Sequence, residues 1–495
     1  MRGTTAGVGI GRHYLRYSLG NVSTILAGLV SFPLMTRLLD NTQYGILGYY
    51  DNWMLLAVAI AKFGAQHSLL RFYPHGDDAG DRAAFFTNYF YLPLACSLVL
   101  WVLLLVVMAT IDRLTGAHQH LVFWMAMFAV PLSSFSSLTE TILRASEQSR
   151  TVLVTRVVGR WLEVGLMVGA VVLLDRSAIA AYGGKLAAAI LVTGWYATWV
   201  RRHVRFMRAH VSFGQMREGM RYGVPLVANE VVAVAIVVVD RLMLKGMLGE
   251  FAAVGIYSVG ASLAMQLNTF MNTSVFEALI PTANRLFQTE GVEAVRALKR
   301  QVLLPMAYCS IGMAMLLGVF GSDAIHALSG PSKIASGPVF SILGMVFALY
   351  PLLALSGFGL LLEKRTQKIL TLMIGSLTIN VILNMLWIPR LHVMGSVYAS
   401  AISTLALGIG HCVLVRRDLL QFPSIGVLAR ALLGVAVCLA IAWWLTGVLN
   451  PGWMRFLFGS GACALVYAGI VLALDARVRG LLLQLLQRLG IGIRP

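Results

Sequence analysis

About fourteen stretches of this chain are each apolar for long enough to cross a hydrocarbon layer, and only short connections separate them. A helix rises 1.5 Å per residue, so a core of about 30 Å takes roughly 20 apolar residues to cross. The spans are predicted at 17–36, 45–71, 84–111, 120–143, 152–174, 178–200, 221–244, 251–277, 302–321, 337–362, 369–389, 393–415, 427–449 and 453–474. Hydrophobic residues make up 58% of the 495 and charged residues 12%, a balance that a water-soluble globule of this length does not have. The expected fold class is an all-α polytopic membrane protein.

The formal net charge of +18 invites a nucleic-acid reading, but the placement of the charge argues against it. With the N-terminus taken as cytoplasmic, the even-numbered connections and both tails hold lysine and arginine over the other side by about three to one. That bias orients the chain, so both termini are expected in the cytoplasm and no nucleic-acid partner is called for. Residues 1–20 are basic and glycine-rich without the short apolar core of a cleavable leader, which leaves the first span as its own insertion signal. Cys96, Cys309, Cys412, Cys438 and Cys463 all fall in predicted spans without metal-ligand spacing and read as small packing residues.

The second half of the chain echoes the first. Arg16-Tyr17-Ser18 and Thr36-Arg37-Leu38 bracket the first span much as Arg221-Tyr222-Gly223 and Asp240-Arg241-Leu242 bracket the seventh. Leu92-Pro93-Leu94 in the third span matches Leu304-Pro305-Met306 in the ninth, and Pro131 matches Pro351. An even number of spans separates the copies, so the halves share one orientation, as in a parallel repeat. The expected organisation is a six-helix lobe over 1–215, a second over 216–420 and a central cavity. Residues 421–495 add two helices and an amphipathic tail. Residues 286–302 and 476–489 mix apolar and charged positions and are expected to lie as helices on the membrane surface.

No Gly-rich phosphate loop with Gly-Lys-Ser/Thr occurs, and no external segment is long enough for a nucleotide-binding domain. Catalytic chemistry on the short external loops is not expected either, nor are a metal or a cofactor. Transport is the natural use of two lobes around a cavity.

Charged residues at membrane depth are costly and are therefore the candidate site. Lys62 sits mid-span; it either meets an anionic substrate or bridges to an acid on another helix. Asp51 shares roughly its helix face, three turns away. Glu230 lies mid-depth in the seventh span and serves either ion coupling or an internal bridge. Glu140 with Arg144, and Arg160 with Glu163, have the spacing of helix-local pairs. Asp240-Arg241 closes the seventh span as a gate or a cap. Lys62, Arg16, Arg221, Arg37 and Arg160 form the cationic substrate-binding set, with Glu230, Asp240, Arg241 and Asp51 for coupling or gating. The surplus of buried cations favours an anionic substrate bearing phosphate. Gln266, Asn268, Asn272, Asn380 and Asn384 suit either sugar hydroxyls or bonds between helices.

Several stretches carry a resemblance to a known family. They are Leu19-Gly20-Asn21, Pro33-Leu34-Met35-Thr36-Arg37-Leu38-Leu39, Tyr44-Gly45, Phe63-Gly64, Leu70-Arg71-Phe72-Tyr73-Pro74, Asp240-Arg241-Leu242-Met243-Leu244 and Val254-Gly255-Ile256-Tyr257-Ser258. In order and spacing the chain resembles the polysaccharide transporter family of O-antigen flippase type. That family lies within the multidrug, oligosaccharidyl-lipid and polysaccharide exporter superfamily. The resemblance implies an undecaprenyl-pyrophosphate-linked oligosaccharide, moved from the cytoplasmic to the periplasmic leaflet of a bacterial inner membrane by alternating access. It implies membrane lipids and polysaccharide-assembly proteins such as a polymerase as partners. Two other readings remain: a cation-coupled multidrug or metabolite exporter, and a non-transporting scaffold for polysaccharide synthases.

Overall fold

The computed structural model describes residues 3–74, 78–114 and 120–488, apart from the side chains of 3–19, 21, 79, 120, 273–274, 277–278, 485–486 and 488. Among these residues the regular structure is helical throughout. The chain divides into two compact units, Met1–Gly255 and Ile256–Pro495. This division by packing leaves the seventh predicted span with the first unit.

The first unit begins with α1 (Gly3–Leu38), α2 (Asn41–Ala61), α3 (Ala65–Arg71), α4 (Ala79–Phe86) and α5 (Leu92–Leu114). It continues with α6 (His120–Ala145), α7 (Ser149–Leu173), α8 (Ala178–His203) and α9 (Phe213–Leu248). Side-chain oxygens start several of them: Asp40 accepts the Gln43 N–H at 2.7 Å, Ser177 that of Ala180 at 3.2 Å and Ser212 that of Gln215 at 3.4 Å. Arg201, Arg202 and His203 occupy the last turn of α8, where cations favour the helix dipole. α7 lies against α1 and α8, α8 against α6, and α2 against α6 and α9.

Helix α10 (Phe251–Thr289) crosses from one unit to the next. The second unit then holds α11 (Val292–Ser329), α12 (Gly337–Ser356), α13 (Thr366–Leu391) and α14 (Val393–Leu414). The chain ends in α15 (Ile425–Val448), α16 (Ser460–Leu474) and α17 (Ala476–Arg488). The helix pair α13–α14 packs on α12 as the pair α7–α8 packs on α6, which is how a repeated unit would build its interior. The last helices attach to α11: the Tyr467 hydroxyl donates to the Tyr308 carbonyl at 3.0 Å, and Tyr308 donates to Asp475 at 3.0 Å.

Eleven helices among the described residues are long and apolar enough to cross a membrane, and the bent pair α2–α3 makes twelve. The expected fourteen includes α1, described as an apolar helix only over Val22–Leu38, and α7, whose Arg150, Arg156, Arg160 and Glu163 lower its hydropathy. Valines and leucines of α5 (Val99, Leu103, Val106) stay largely exposed, which suits an acyl-chain surround and not water.

Two expectations need correction. The span predicted over 45–71 is not one helix; it breaks between α2 and α3 with a 49° bend. The surface helix predicted over 286–302 is also not a separate piece. Its first residues finish α10, and the rest, from Val292, is the front of α11. The reason is visible at Lys299, which is fully buried and donates to the carbonyls of Ser356, Phe358 and Leu419 at 2.9, 3.0 and 2.6 Å. With its ammonium satisfied inside the protein, this segment has no need of the membrane surface.

Candidate functional site in the first unit

The α2–α3 break is built on glycine. Phe63 has φ 31° and Gly64 φ 87°, a left-handed turn that ends α2 at Lys62 and restarts the helix at Ala65. A Cβ on Gly64 would stand 2.4 Å from the Gly223 carbonyl of α9, and one on Gly223 would stand 2.6 Å from the Gly64 oxygen. The Gly219-x-x-x-Gly223 spacing lets the two backbones touch, and Ser68 donates to the Gly219 carbonyl at 2.6 Å. No proline is involved.

The break presents Lys62 to α9. Its ammonium lies 2.8 Å from a Glu230 carboxylate oxygen, Gln66 donates to the other oxygen, and His67 Nε2 is 3.9 Å from it. The Lys62 side chain is 12% exposed and that of Glu230 27%, so the pair is shielded without being sealed. Glu230 had the open readings of coupling acid or internal bridge; its partner is Lys62. Gln66 and His67 were not singled out from the sequence. Both follow Lys62 by about one helical turn across the break, a relation that a one-helix reading of 45–71 conceals.

A second polar cluster lines a cavity of about 460 Å³ among α1, α2, α6, α7 and α8. Glu140 on α6 receives hydrogen bonds from its helix neighbour Arg144 and from Arg156 of α7, the latter at 2.7 Å. Arg160 donates to Glu163 at 2.9 Å, while its Nε is buried with no hydrogen-bond partner among the described residues. Lys185 reaches Asp51 at 2.5 Å. Ser133, Ser136, Ser137, Thr155 and Thr193 add hydroxyls. The lining cations, Arg156, Arg160 and Lys185, outnumber the lining carboxylates, Glu140 and Glu163.

The helix-local pairs Glu140–Arg144 and Arg160–Glu163 stand at the spacing that suggested them. Lys185 falls within the span predicted over 178–200 and was not among the candidate residues; it sits well inside α8, and its pairing with Asp51 is the reason that burial is tolerated. Arg37 and Arg221 have exposed side chains, and neither lines the cavity. Asp240 and Arg241 are buried near the end of α9, and Arg241 donates to the Val237 carbonyl at 2.8 Å. The Arg16 side chain lies outside the described residues. No group of three His, Cys, Asp or Glu among the described residues could hold a metal.

In the second unit the amides bond both between helices and along their own. Asn380 of α13 donates to Ser400 of α14 at 3.1 Å, and Asn384 donates to Asn380 at 2.9 Å. Asn272 and Asn268 of α10 bond to each other along one helix face.

Among solved structures, the lipid II flippase MurJ in an inward closed conformation superposes with a TM-score of 0.73 at 12% identity, over 92% of this chain and 98% of that one. An inward-facing multidrug resistance MATE transporter of the MOP superfamily gives 0.65 at 16% identity, over 80% and 96%. An outward-facing MATE transporter gives 0.54 at 16% identity, over 81% and 93%. These likenesses establish the fold: a multi-pass membrane architecture shared with flippases and MATE exporters. No curated protein matches the chain. The family described as "Polysaccharide biosynthesis protein" matches residues 10–287, more than half of the sequence, and this chain is a member of that family.

Proposed function

We propose that the chain is a flippase and not an enzyme. It carries an undecaprenyl-pyrophosphate-linked oligosaccharide from the cytoplasmic to the periplasmic leaflet, for cell-surface polysaccharide synthesis. The observation that carries this reading is the net cationic, hydroxyl-lined cavity of the first unit in a chain of the polysaccharide biosynthesis family. A pyrophosphate head is a strong acceptor for guanidinium and ammonium groups, and the hydroxyls beside them suit sugars. Each carboxylate holding Arg156, Arg160, Lys185 or Lys62 is a competitor that an incoming phosphate would displace. Binding would therefore exchange one counter-ion for another without stranding a charge at depth.

Alternating access is supported by the fold, because MATE transporters of this architecture occur both inward-facing and outward-facing. On this proposal the lobes over 1–215 and 216–420 are the moving parts. Both termini lie in the cytoplasm of a bacterial inner membrane, as the placement of lysine and arginine implies. Glu230 then couples transport to an ion, with Lys62 as its partner in the empty state.

The test is translocation of a fluorescent polyprenyl-pyrophosphate oligosaccharide in proteoliposomes, read as label reaching the opposite leaflet. The expected result is a protein-dependent signal that Lys62→Ala reduces at least about tenfold, since an ionic contact of this kind contributes on the order of 1.5–3 kcal/mol. Absence of flipping, together with gradient-driven efflux of a cationic dye, would replace the flippase with a multidrug exporter. The likeness to MATE transporters makes that the second reading.

A further inference from the structure

At the arginine-rich end of the first unit, a separate pocket of about 990 Å³ opens between α4, α6, α8 and the segment that follows α8. Its guanidiniums are those of Arg82 and Arg205, the imidazoles of His203 and His210 line it too, and its single lining carboxylate is that of Glu147. Arg82 and Arg205 are exposed, and no carboxylate among the described residues pairs with Arg205. Trp199 forms one wall and stacks on His203 with ring centroids 4.6 Å apart at 14°.

The segment that carries Arg205 and His210 is fastened in place. Just before α5 the helix widens into a π-turn over Thr87–Tyr91, a distortion that recurs at functional sites. The buried Thr87 hydroxyl accepts the Met207 N–H at 3.1 Å, and the Tyr91 hydroxyl donates to the Val204 carbonyl at 3.1 Å. Asn88, fully buried, donates to the His210 carbonyl at 2.8 Å and accepts the Ser212 N–H at 2.8 Å. Thr87, Asn88 and Tyr91 thus hold the backbone from Val204 to Ser212, which fixes the chain positions of Arg205 and His210 before any ligand arrives. Trp199 and Met207 line the pocket, Met207 being 42% exposed; Trp195, one helical turn before Trp199, and Phe206, next to Met207 in the chain, are 43% and 46% exposed and add apolar surface.

We propose that this pocket is a headgroup site for an anionic phospholipid of the surrounding bilayer, distinct from the transported molecule. The phosphate lies among Arg82, Arg205 and His210, and the acyl chains run over Trp195 and Phe206. A cationic pocket with an apolar rim at the end of a spanning helix matches both halves of such a lipid. A soluble anion would make no use of the rim.

The experiment titrates the purified full-length protein in detergent with tail-labelled phosphatidylglycerol. Arg82→Gln/Arg205→Gln removes pocket charge, and Arg201→Gln/Arg202→Gln removes equal charge from the neighbouring turn of α8. The pocket pair is expected to weaken binding about tenfold or more, and the control pair by no more than about twofold, given roughly fivefold per cation near an anionic lipid. Asn88→Ala keeps every cation and is expected to weaken binding several-fold by freeing the loop, with elution profile and melting temperature checked for each variant. Equal losses in both charge pairs would reduce the site to diffuse surface attraction and overturn the proposal. Inorganic phosphate that competes as well as the lipid would reassign the pocket to a free anion. Undecaprenyl pyrophosphate that displaces phosphatidylglycerol while binding far more tightly would reassign it to the transported substrate. None of these readouts depends on flipping, so failure here leaves the flippase proposal untouched.

Discussion

The helix pairs α7–α8 and α13–α14 occupy corresponding places in their units, yet their interiors are made of different chemistry. The first sets Arg156, Arg160, Glu163 and Lys185 around a cavity. The second closes on neutral groups: Asn380 with Ser400 and Ser403, and Ser376 donating to the Ser403 carbonyl at 2.8 Å. Ion pairs elsewhere in the second unit, such as Arg430 with Asp475 at 2.9 Å and Arg416 with Glu363 at 3.4 Å, involve connections between helices. Amide and hydroxyl bonds between helices are short-ranged, and they hold one geometry. Ion pairs act over longer distances and accept a new counter-ion, which on the proposed function makes the first unit the half that engages a charged ligand. The two helix pairs share a packing arrangement and differ in the chemistry that fills it.

The comparison can be broken most severely at the helix break. Gly64→Ala adds a Cβ where the Gly223 backbone already stands at 2.4 Å and where φ is 87°. The expected cost is about 3 kcal/mol, the left-handed penalty plus overpacking, and a thermal melt in detergent measures it. A near-neutral result would mean that the α2–α3 turn can relax away from α9.

A milder break targets the buried pair. Lys62→Met and Glu230→Gln are each expected to destabilise by on the order of 2 kcal/mol, because each leaves a partly buried charge without its partner. The double variant should recover most of that loss. A coupling energy near zero in this double-mutant cycle would show that Lys62 and Glu230 act independently.

In the second unit Asn380→Ala should cost only about 1 kcal/mol, the typical value of a hydrogen bond between membrane helices. It should leave flipping at wild-type rate. A large loss of transport with little loss of stability would give the amide cluster a substrate role after all and erase the contrast between the units.

The smallest effect concerns pH. Asp475 lies outside the spans; burial raises its pKa, but the Arg477 backbone N–H, the Tyr308 hydroxyl and the Arg477 and Arg430 guanidiniums outweigh that and hold it below the ordinary carboxylate value. A carboxylate depressed in the folded state contributes stability above its unfolded pKa of about 4 and loses it as the pH falls through the folded value. The packing of α15–α17 on α11 should therefore be unaffected from neutral pH down to about 5 and loosen below about 4. Hydrogen exchange in those helices reads this out, and Asp475→Asn should remove the acid dependence.

Helix positions were legible because each depends on a local signal. Runs of apolar residues marked the spans, and the i to i+3 and i to i+4 spacings marked Arg160 with Glu163 and Glu140 with Arg144. The glycine break was half legible. Phe63-Gly64 was among the residues carrying the family resemblance, but an apolar run hides a bend, since hydropathy does not register φ. Lys185 was not singled out for a related reason: the acid that holds a cation at depth is invisible in the sequence, and only packing brings Asp51 to it.

By itself the sequence determined the class of the protein: a many-helix membrane chain, and membership in a polysaccharide biosynthesis family. Those properties follow from short-range periodicity and composition, which need no knowledge of what touches what. Tertiary structure decided which charges meet. Lys62 pairs with an acid 168 positions away, and Lys185 with one 134 positions away. A helix fixes only the direction of a side chain about its own axis, and the partner across the gap is chosen when helices pack. A charge at membrane depth is costly until that choice is made, so the site exists only in the folded chain.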